Sequence, residues 1–385
     1  MARSLRKQTN LQKKLVIFVT MRMMSKNLLI LLAAVLLPSG ITSAQDADAI
    51  RYIEASELTM VGKMMETPNP YWRVDTTRFK GFTATESNQV RCGAGLAVAF
   101  RTDSPFIKLR ITRRPSYSGA STTTISSAGF DLYIRDGKEW IWADNVYFKP
   151  GDEAEPATLI RDMDGSLHEC LLYLPIHTEL HSCELGVAPE SVLEPLENPF
   201  RHRIVFSGSS FTHGGSTSRP GMSYPKQFER HTGLQALALG CGGNGRLQSY
   251  YADVFAAVEA DAFVFDQFSN PTVDEIRERF FPFLEKIRAA HPGVPIIFQR
   301  TITREQGNFD TGSRARELAK KAIADSVMKI ALARYPDVYY VRPSASDGSH
   351  EWSVDGTHPD DYGYYLWSRS IEKPIKRILR RYGIR

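Results

Sequence analysis

Apolar and polar positions alternate over short runs in the first half of the chain, without a long helical period. Strand-like runs lie at residues 94–100, 106–112, 130–135, 139–143, 170–174 and 180–187. Asp136-Gly137 stands between the third and fourth runs, where a two-residue hairpin turn is expected. Short strands separated by turn signals predict an all-β sandwich or jelly roll over residues 45–187.

The pattern changes after residues 188–199, a proline-punctuated stretch that predicts a linker. Short apolar runs follow at residues 203–206, 234–239, 262–268, 294–299 and 338–341. Longer helical patterns lie between and after them, at residues 244–260, 272–290, 312–335 and 359–381. This alternation predicts an α/β domain over residues 200–385, with a parallel sheet covered by helices on both faces. Chemistry in such a sheet sits on loops that leave the carboxyl ends of the strands.

Composition and charge narrow the classes of function. The 385 residues are 42% apolar, which is enough for two domains with their own cores. The formal charge of +5 would suit a nucleic-acid partner, but residues 1–44 hold seven basic side chains and no acidic one. Subtracting those seven leaves −2 for the remainder. We therefore expect no nucleic-acid partner.

The same leader has the layout of an export signal. Lys26 precedes an apolar run at residues 28–37, and Thr42-Ser43-Ala44 offers small residues for cleavage before Gln45. The run is shorter than the roughly 20 apolar residues that span a bilayer. The sequence therefore predicts a cleaved leader over residues 1–44, and a periplasmic, cell-surface or secreted protein without a stable membrane span. An N-terminal membrane anchor is the alternative.

The four cysteines, Cys92, Cys170, Cys183 and Cys241, show no Cys-x-x-Cys spacing, which argues against zinc or a redox dithiol. Export would permit a disulfide, and Cys170 and Cys183 are the nearest pair in sequence. Buried free thiols are the other interpretation, and the sequence leaves both open.

A serine-rich turn follows the first strand of the predicted α/β domain, in the segment Ser207-Gly-Ser-Ser-Phe-Thr-His-Gly-Gly215. Ser210 would stand exposed at a strand end with a backbone N–H beside it, as an acyl-transfer nucleophile requires. A plain turn or a phosphate-cradling loop has a similar composition. The segment lacks the Gly-Lys-Ser/Thr ending of a P-loop, which disfavours nucleotide binding.

The segment Asp355-Gly-Thr-His-Pro359 supplies the partners that a serine nucleophile needs. Proline suits the first position of a helix, so His358 is expected at a helix start with Asp355 one tight turn before it. A carboxylate at that spacing can hold one imidazole nitrogen and leave the other as a base. A capped helix start with an incidental histidine is the alternative. No third metal ligand is evident nearby, so we expect no metal and no organic cofactor.

Two further loops would open on the same edge of the sheet. The first is Gly240-Cys-Gly-Gly-Asn-Gly245, in which the Gly243 N–H could approach a ligand closely. The second follows the third strand and contains Asn270 before a proline. The N–H groups of Ser210 and Gly243 and the Asn270 amide could together hold a developing oxyanion. Asn270 could equally be a turn residue.

These four pieces, in this order, resemble the SGNH (GDSL-like) hydrolases, which carry Ser, Gly, Asn and His in four blocks on a flavodoxin-like sheet. The resemblance covers residues 200–385 and implies catalytic roles for Ser210, Asp355 and His358, with Gly243 and Asn270 in the oxyanion hole. The first half resembles the jelly-roll domain of a subgroup of polysaccharide-associated esterases. Two phrases carry this second likeness, Gly129-Phe-Asp-Leu-Tyr-Ile-Arg-Asp136 and Ser218-Arg-Pro-Gly221.

The chain departs from the SGNH pattern at two positions. Ser209 stands where the family usually has an aspartate before the nucleophile, which could change how the loop is supported. The third block lacks its usual glycine and reads Phe-Ser-Asn-Pro, so the match at Asn270 is weaker than the match at Ser210, Asp355 and His358.

The resemblance and the leader together predict an exported serine esterase that removes O-acetyl groups from an acylated carbohydrate. Trp352 and the tyrosines of residues 362–365 could stack on a sugar ring, although these tyrosines could also belong to the buried side of the last helix. Asn244 and Arg246 are further candidates for substrate binding. The alternatives are an inactive carbohydrate-binding protein on the same fold, a general short-chain acyl esterase or lipase, and an α/β-hydrolase. The last is disfavoured because Phe211 and Thr212 do not fit a Gly-x-Ser-x-Gly elbow.

Overall fold

The first half of the chain contains two antiparallel sheets that face each other. The computed structural model describes residues 49–116 and 119–385, so the predicted leader lies outside the described residues. The strands of this half are, in chain order, β1 (Arg51–Glu54), β2 (Thr59–Val61), β3 (Ala97–Thr102), β4 (Ile107–Arg113), β5 (Gly129–Asp136), β6 (Glu139–Tyr147), β7 (Ala157–Ile160), β8 (His168–Tyr173), β9 (Leu180–Val187) and β10 (Leu193–Pro195). One sheet has the order β1-β9-β4-β7 and the other β10-β3-β8-β5-β6, with β2 also paired to β3.

Burial along the strands explains this arrangement. In β4, Ile107, Leu109 and Ile111 are buried while the residues between them are more exposed, as in a strand with one solvated face. Strands β3 and β8 are buried almost continuously, because both of their faces are covered. The antiparallel β domain that the sequence predicted is confirmed. Two short helices join this half, α1 (Ala84–Arg91) and α2 (Thr124–Ala128).

The stretch predicted as a linker contains β10, which pairs antiparallel with β3. Residues Ile50–Arg385 form one compact unit. Cys170 and Cys183 are buried and unbonded, in agreement with the free-thiol interpretation. Among the helices of the described residues, none is both long enough and apolar enough to cross a membrane.

The second half forms a five-stranded parallel sheet with the order β12-β11-β13-β14-β15. Its strands are β11 (Arg201–Gly208), β12 (Leu234–Gly240), β13 (Ala262–Asp266), β14 (Ile296–Gln299) and β15 (Val338–Val341). The helices that follow or separate them are α3 (Ser210–His213), α4 (Tyr224–Thr232), α5 (Ser249–Ala256), α6 (Val273–Ala290), α7 (Thr311–Arg334) and α8 (Asp361–Leu379). The strand order 2-1-3-4-5 is that of a flavodoxin-like sheet, so the predicted fold class is confirmed.

Alternate residues of these strands enter two different cores. Val205 and Phe263 belong to one core, together with apolar residues of α5, α6 and α7. Phe206 and Val264 belong to the other, together with residues of α4 and α8. Because both faces are covered, the central residues of these strands are mostly apolar, and the carboxyl ends of the strands form the edge from which the functional loops leave.

Gly240 marks a close approach at that edge, and we predict that alanine cannot replace it. A Cβ at this position would lie 1.9 Å from the backbone nitrogen of His213, which cannot move without moving α3. We expect Gly240→Ala to lower the free energy of unfolding by about 3 kcal/mol. Urea unfolding followed by circular dichroism measures this loss.

Gly137 provides the matched control, since its φ is +57° and a Cβ there would meet no atom within 4 Å. Gly137→Ala should cost about 1 kcal/mol, from the left-handed backbone alone. Equal unfolding midpoints for the two variants would show that the contact with α3 is not rigid.

Candidate active site

Ser210 lies in a tight turn between β11 and α3. Ser209 is the N-cap of α3, and its hydroxyl accepts a hydrogen bond from the Phe211 N–H at 3.2 Å. Gly208 lets the ends of two strands approach, because a Cβ there would lie 2.5 Å from the Asp266 carbonyl oxygen. The turn therefore presents Ser210 at the carboxyl edge of the sheet, as the sequence predicted.

The structure brings Ser210, His358 and Asp355 into one hydrogen-bonded chain. Ser210 Oγ lies 2.9 Å from His358 Nε2, and His358 Nδ1 lies 2.8 Å from Asp355 Oδ2. Asp355 Oδ1 also accepts the His358 backbone N–H at 2.7 Å. Partial burial acts to raise the pKa of Asp355, but the hydrogen bonds from His358 outweigh it and hold that pKa below its ordinary value. This is the geometry of a nucleophile, a base and a group that orients the base.

The segment around His358 is a closed turn that precedes the last helix. Gly356 has a φ of +78°, and a bridge between Ser353 and Pro359 closes the turn. The expectation that His358 lies at a helix start is corrected, because α8 begins at Asp361. Asp360 is its N-cap, accepting the Gly363 N–H at 2.8 Å. The turn's own hydrogen bonds, rather than a helix, fix the imidazole.

The glycine loop after β12 lies beside the nucleophile. A Cβ on Gly242 would be 3.8 Å from the Ser210 Cβ, and Gly243 lines the same cavity as Ser210. Asn270 lies at the next strand end, where its Nδ2 donates to the Asn244 carbonyl oxygen at 2.6 Å. It is not among the described residues that line the cavity. A side-chain amide has two hydrogens, so this bond occupies one of them.

A cavity of about 790 Å³ opens in front of Ser210 and His358. The α/β half contributes the two glycines of the loop and Gly215 to its wall. The first half contributes further lining residues, among them Asn88, Gln89 and Arg114. Both halves of the chain therefore build the site.

Comparison with known proteins agrees with this architecture. Residues 201–376 match the GDSL-like lipase/acylhydrolase family, and residues 50–193 match GxDLY, described as the N-terminus of SGNH hydrolase-type esterases. A crystal structure assigned to a GDSL-like lipase from Bacteroides ovatus is 36% identical, covers 86% of this chain and 98% of its own, and superposes with a TM-score of 0.82. The chain belongs to the GDSL-like lipase/acylhydrolase family.

More distant structures share the fold of this GDSL-like hydrolase. A salicylyl-acyltransferase from a tetracycline biosynthetic pathway is 17% identical with a TM-score of 0.69, covering 86% of this chain and 98% of its own. An acetyl xylan esterase from the rumen bacterium Butyrivibrio proteoclasticus is 13% identical with a TM-score of 0.55, covering 86% and 99%. No curated protein matches the chain.

Three side chains that the sequence suggested for substrate binding have other contacts in the GDSL-like hydrolase. Trp352 is only 1% exposed, and its indole N–H donates to Glu305 at 2.5 Å, so the expected stacking on a sugar is wrong. Asn244 donates to Gln89 and to the Gly242 carbonyl oxygen. Arg246 donates to the Gly243 carbonyl oxygen at 3.0 Å. Neither Asn244 nor Arg246 is among the described lining residues, and their hydrogen bonds to Gly242 and Gly243 support the glycine loop.

The tyrosines of residues 362–365 divide between the core and the surface. Tyr364 is buried and donates to the Gly215 carbonyl oxygen at 2.7 Å, so it supports a wall of the cavity. Tyr362 and Tyr365 are exposed, and neither is among the described lining residues. The interpretation that they stack on a substrate in this cavity gains no support.

Sequence reasoning missed the side chains that the first half brings to the site. Gln89 Nε2 donates to the Gly242 carbonyl oxygen at 3.0 Å and so holds the glycine loop. Arg114 reaches the cavity wall, where it pairs with Glu179 at 3.1 Å and remains 50% exposed. No local pattern could have found these residues, because they lie far from the catalytic blocks in sequence.

The two phrases that suggested the esterase subgroup meet each other in the fold. Asp131, from the Gly129–Asp136 strand, is fully buried and accepts two hydrogen bonds from Arg219 at 3.0 and 2.8 Å. The Gly221 N–H also donates to it, at 2.9 Å. A buried carboxylate needs such partners. This contact fixes the segment after α3 to the β domain.

Proposed function

We propose that this GDSL-like hydrolase is an exported serine esterase that removes O-acetyl groups from polysaccharides or oligosaccharides. The observation that carries the proposal is the Ser210–His358–Asp355 chain of hydrogen bonds at the mouth of a cavity lined by both halves. Export rests on the leader sequence alone, which lies outside the described residues. An inactive carbohydrate-binding protein would have no need to keep these three side chains aligned.

The chemistry follows from the roles of these groups. Ser210 Oγ attacks the ester carbonyl while His358 Nε2 takes its proton, and Asp355 stabilises the imidazolium that forms. The Ser210 and Gly243 N–H groups, with the second hydrogen of the Asn270 amide, hold the oxyanion. His358 then protonates the leaving alcohol. Water hydrolyses the acyl-serine with His358 again acting as the base.

Polar side chains in the lining of the cavity support a polyhydroxylated alcohol as the leaving group. Asn88, Gln89 and Arg114 bring amide and guanidinium hydrogen-bonding groups to the cavity. Such groups can bind sugar hydroxyls. The fold-level likeness to an acetyl xylan esterase is consistent with this substrate class.

Acetate release tests the proposal. The purified protein is incubated with acetylated xylan, acetylated pectin and a small aryl acetate, and free acetate is measured. We expect hydrolysis of the aryl ester and a higher kcat/KM on at least one acetylated glycan. Turnover of the aryl ester without release of acetate from any glycan would contradict the carbohydrate substrate and leave a general short-chain esterase.

Arg114 provides a sharper test of the substrate class. Because Arg114 Nη1 donates to Glu179, other N–H groups of the guanidinium can bind sugar hydroxyls. We expect Arg114→Ala to raise KM for the preferred acetylated oligosaccharide about 10-fold, the cost of one charge-assisted hydrogen bond. The kinetics on the aryl acetate should stay unchanged, since that substrate has no sugar hydroxyl for Arg114 to bind.

Arg110→Ala is the matched control for Arg114→Ala. Arg110 belongs to β4 and also forms an ion pair, with Glu184 at 2.6 Å, but it is not among the described lining residues. It should leave KM unchanged on both substrates. An equal loss on the aryl acetate in Arg114→Ala would indicate damage to the catalytic site and count against a role in binding the sugar.

A further inference from the structure

A buried carboxylate lies directly beneath the two turns that carry Ser210 and Asn270. Asp266 ends β13 and is fully buried. Its Oδ2 accepts the Ser209 hydroxyl at 2.8 Å, and its Oδ1 accepts the Ser269 hydroxyl at 2.5 Å. Each of these serines immediately precedes a residue with a proposed catalytic or oxyanion role. One side chain therefore ties both turns to the sheet.

The identity of residue 209 fits this arrangement. The Ser209 hydroxyl donates to Asp266 and accepts from the Phe211 N–H, so it acts both as a donor and as an acceptor. An aspartate at position 209, the usual family residue, could cap α3 but would confront the Asp266 carboxylate with a second negative charge. In this chain the carboxylate stands on the neighbouring strand, where Gly208 pairs with Asp266.

The charged and titratable groups around Asp266 come from several elements. Arg304 and Lys320 both donate to the Ser269 carbonyl oxygen, and Glu317 forms ion pairs with both of them. The phenols of Tyr224 and Tyr364 lie on the side of α4 and α8. Burial raises the pKa of Asp266 to about 6, although the hydrogen bonds from Ser269 and Ser209 and the charge of Arg304 act to lower it. The group is therefore ionised at neutral pH.

We propose that the Asp266 carboxylate is a positioning group that holds the nucleophile turn and the Asn270 turn in register. This inference rests on the proposed esterase activity. An ionised carboxylate accepts from both serine hydroxyls at once, whereas a protonated or amide side chain offers a hydrogen in place of one acceptor, so one serine hydroxyl must reverse its role or lose its bond. Loss of the second acceptor leaves one turn free to shift relative to the other, and small misplacements of this kind cost rate.

The test uses Asp266→Asn and Asp266→Ala in the full chain, with the aryl acetate as substrate at about pH 8. We expect kcat to fall about 10-fold for the asparagine and about 100-fold for the alanine, with KM unchanged. The wild-type kcat should also fall as the pH drops through about 6, because Asp266 then becomes protonated. This part of the pH dependence should be missing from the asparagine variant. Unchanged kcat in Asp266→Asn would overturn the proposal.

Stability separates positioning from a merely structural role. The pKa of Asp266 is higher in the folded chain than its ordinary value of 3.8, so the folded state binds this proton more tightly and loses stability as the pH rises from about 4 to about 6. Asp266→Asn removes the buried charge and should unfold at a higher urea concentration than the wild type at about pH 8, with the difference shrinking towards pH 4. Greater stability with lower kcat supports positioning, whereas a variant that loses stability and kcat together contradicts it.

Exchanging the two side chains completes the test. Asp266→Ser alone should lose activity, and the double variant Ser209→Asp/Asp266→Ser should recover part of it by restoring a carboxylate between the turns. A double variant no more active than Asp266→Ser would overturn the idea that the carboxylate is what the turns require. Asp337→Asn is the control, since Asp337 is a buried acid paired with Arg288, beside β15 at the opposite edge of the sheet. It should leave kcat unchanged.

Different results would contradict the role of Asp266 and the proposed esterase activity. A wild-type protein that hydrolyses none of the esters and reacts with no fluorophosphonate would end the esterase proposal. A wild type that is active and titrates fully with the probe, beside an Asp266→Asn variant of equal rate, would end only the proposed role of Asp266.

Discussion

Ser210→Ala is expected to lower kcat for an aryl acetate by about 10⁴-fold or more while leaving KM nearly unchanged. The substitution removes the atom proposed to attack the ester, the Oγ that lies 2.9 Å from His358 Nε2. The backbone N–H groups and the cavity remain, so the variant should still bind substrate and show the residual rate that such groups provide. Stopped assays of aryl acetate hydrolysis measure kcat and KM together.

A second measurement makes this prediction specific to the nucleophile. The wild type should gain the mass of one acyl group when it is quenched during turnover of a slow ester, and Ser210→Ala should gain none. Ser344→Ala is the control, because Ser344 is exposed and donates to the backbone of its own loop. Hydrolysis of the aryl ester that persists in Ser210→Ala would show that another group attacks.

The parallel sheet could be predicted because its strands and most of its helices carry their own signals. The pattern at residues 312–335 predicts the helix Thr311–Arg334 to within one residue at each end. Helix α4 was missed, since Lys226 and Glu229 form a fully buried ion pair on it and its buried face therefore reads as polar. Periodicity identifies a helix only when the core side of that helix is apolar.

The hydrogen-bonded contacts of Ser210, His358 and Asp355 could be predicted because each part of the motif is local. Ser210 belongs to one short turn, and only two residues lie between Asp355 and His358. The walls of the cavity are different, since Gln89 reaches the glycine loop across 153 residues of sequence. The prediction that Trp352 stacks on a sugar was wrong because nearness to His358 in sequence does not determine which way a side chain points. Packing decided its direction, and it packs into the core with α8.

Asp266 lies between these two cases. An acid that ends an all-apolar strand is a sequence signal for a buried carboxylate, since burial of an unpaired charge is costly and a partner must exist. The sequence does not say which partner. The answer depends on the register of β11 and β13, which places Gly208 opposite Asp266. The sequence therefore indicates a buried carboxylate, but its hydrogen-bond partners depend on how the strands pair in the sheet.

Asp355→Asn is the second substitution for which a large effect is expected, a loss of about 10⁴-fold in kcat at neutral pH. In the wild type, Asp355 Oδ1 accepts the His358 backbone N–H and Oδ2 accepts the proton on Nδ1. An asparagine can keep the backbone contact through its oxygen, which turns its NH₂ group towards Nδ1. His358 must then carry its proton on Nε2, the nitrogen that has to accept from Ser210.

The turn itself should survive this change, because the backbone contact and the bridge between Ser353 and Pro359 do not need a charge. We therefore expect the unfolding midpoint of Asp355→Asn to stay close to that of the wild type while kcat collapses. Asp347→Asn is the control, since Asp347 is an acid of the same surface region that accepts from Tyr362, outside the triad. Comparing kcat and unfolding for the two variants separates loss of the correct tautomer from loss of the loop. If Asp355→Asn retains most of its rate, His358 does not depend on this carboxylate for its orientation, and another acceptor must fix the proton on Nδ1.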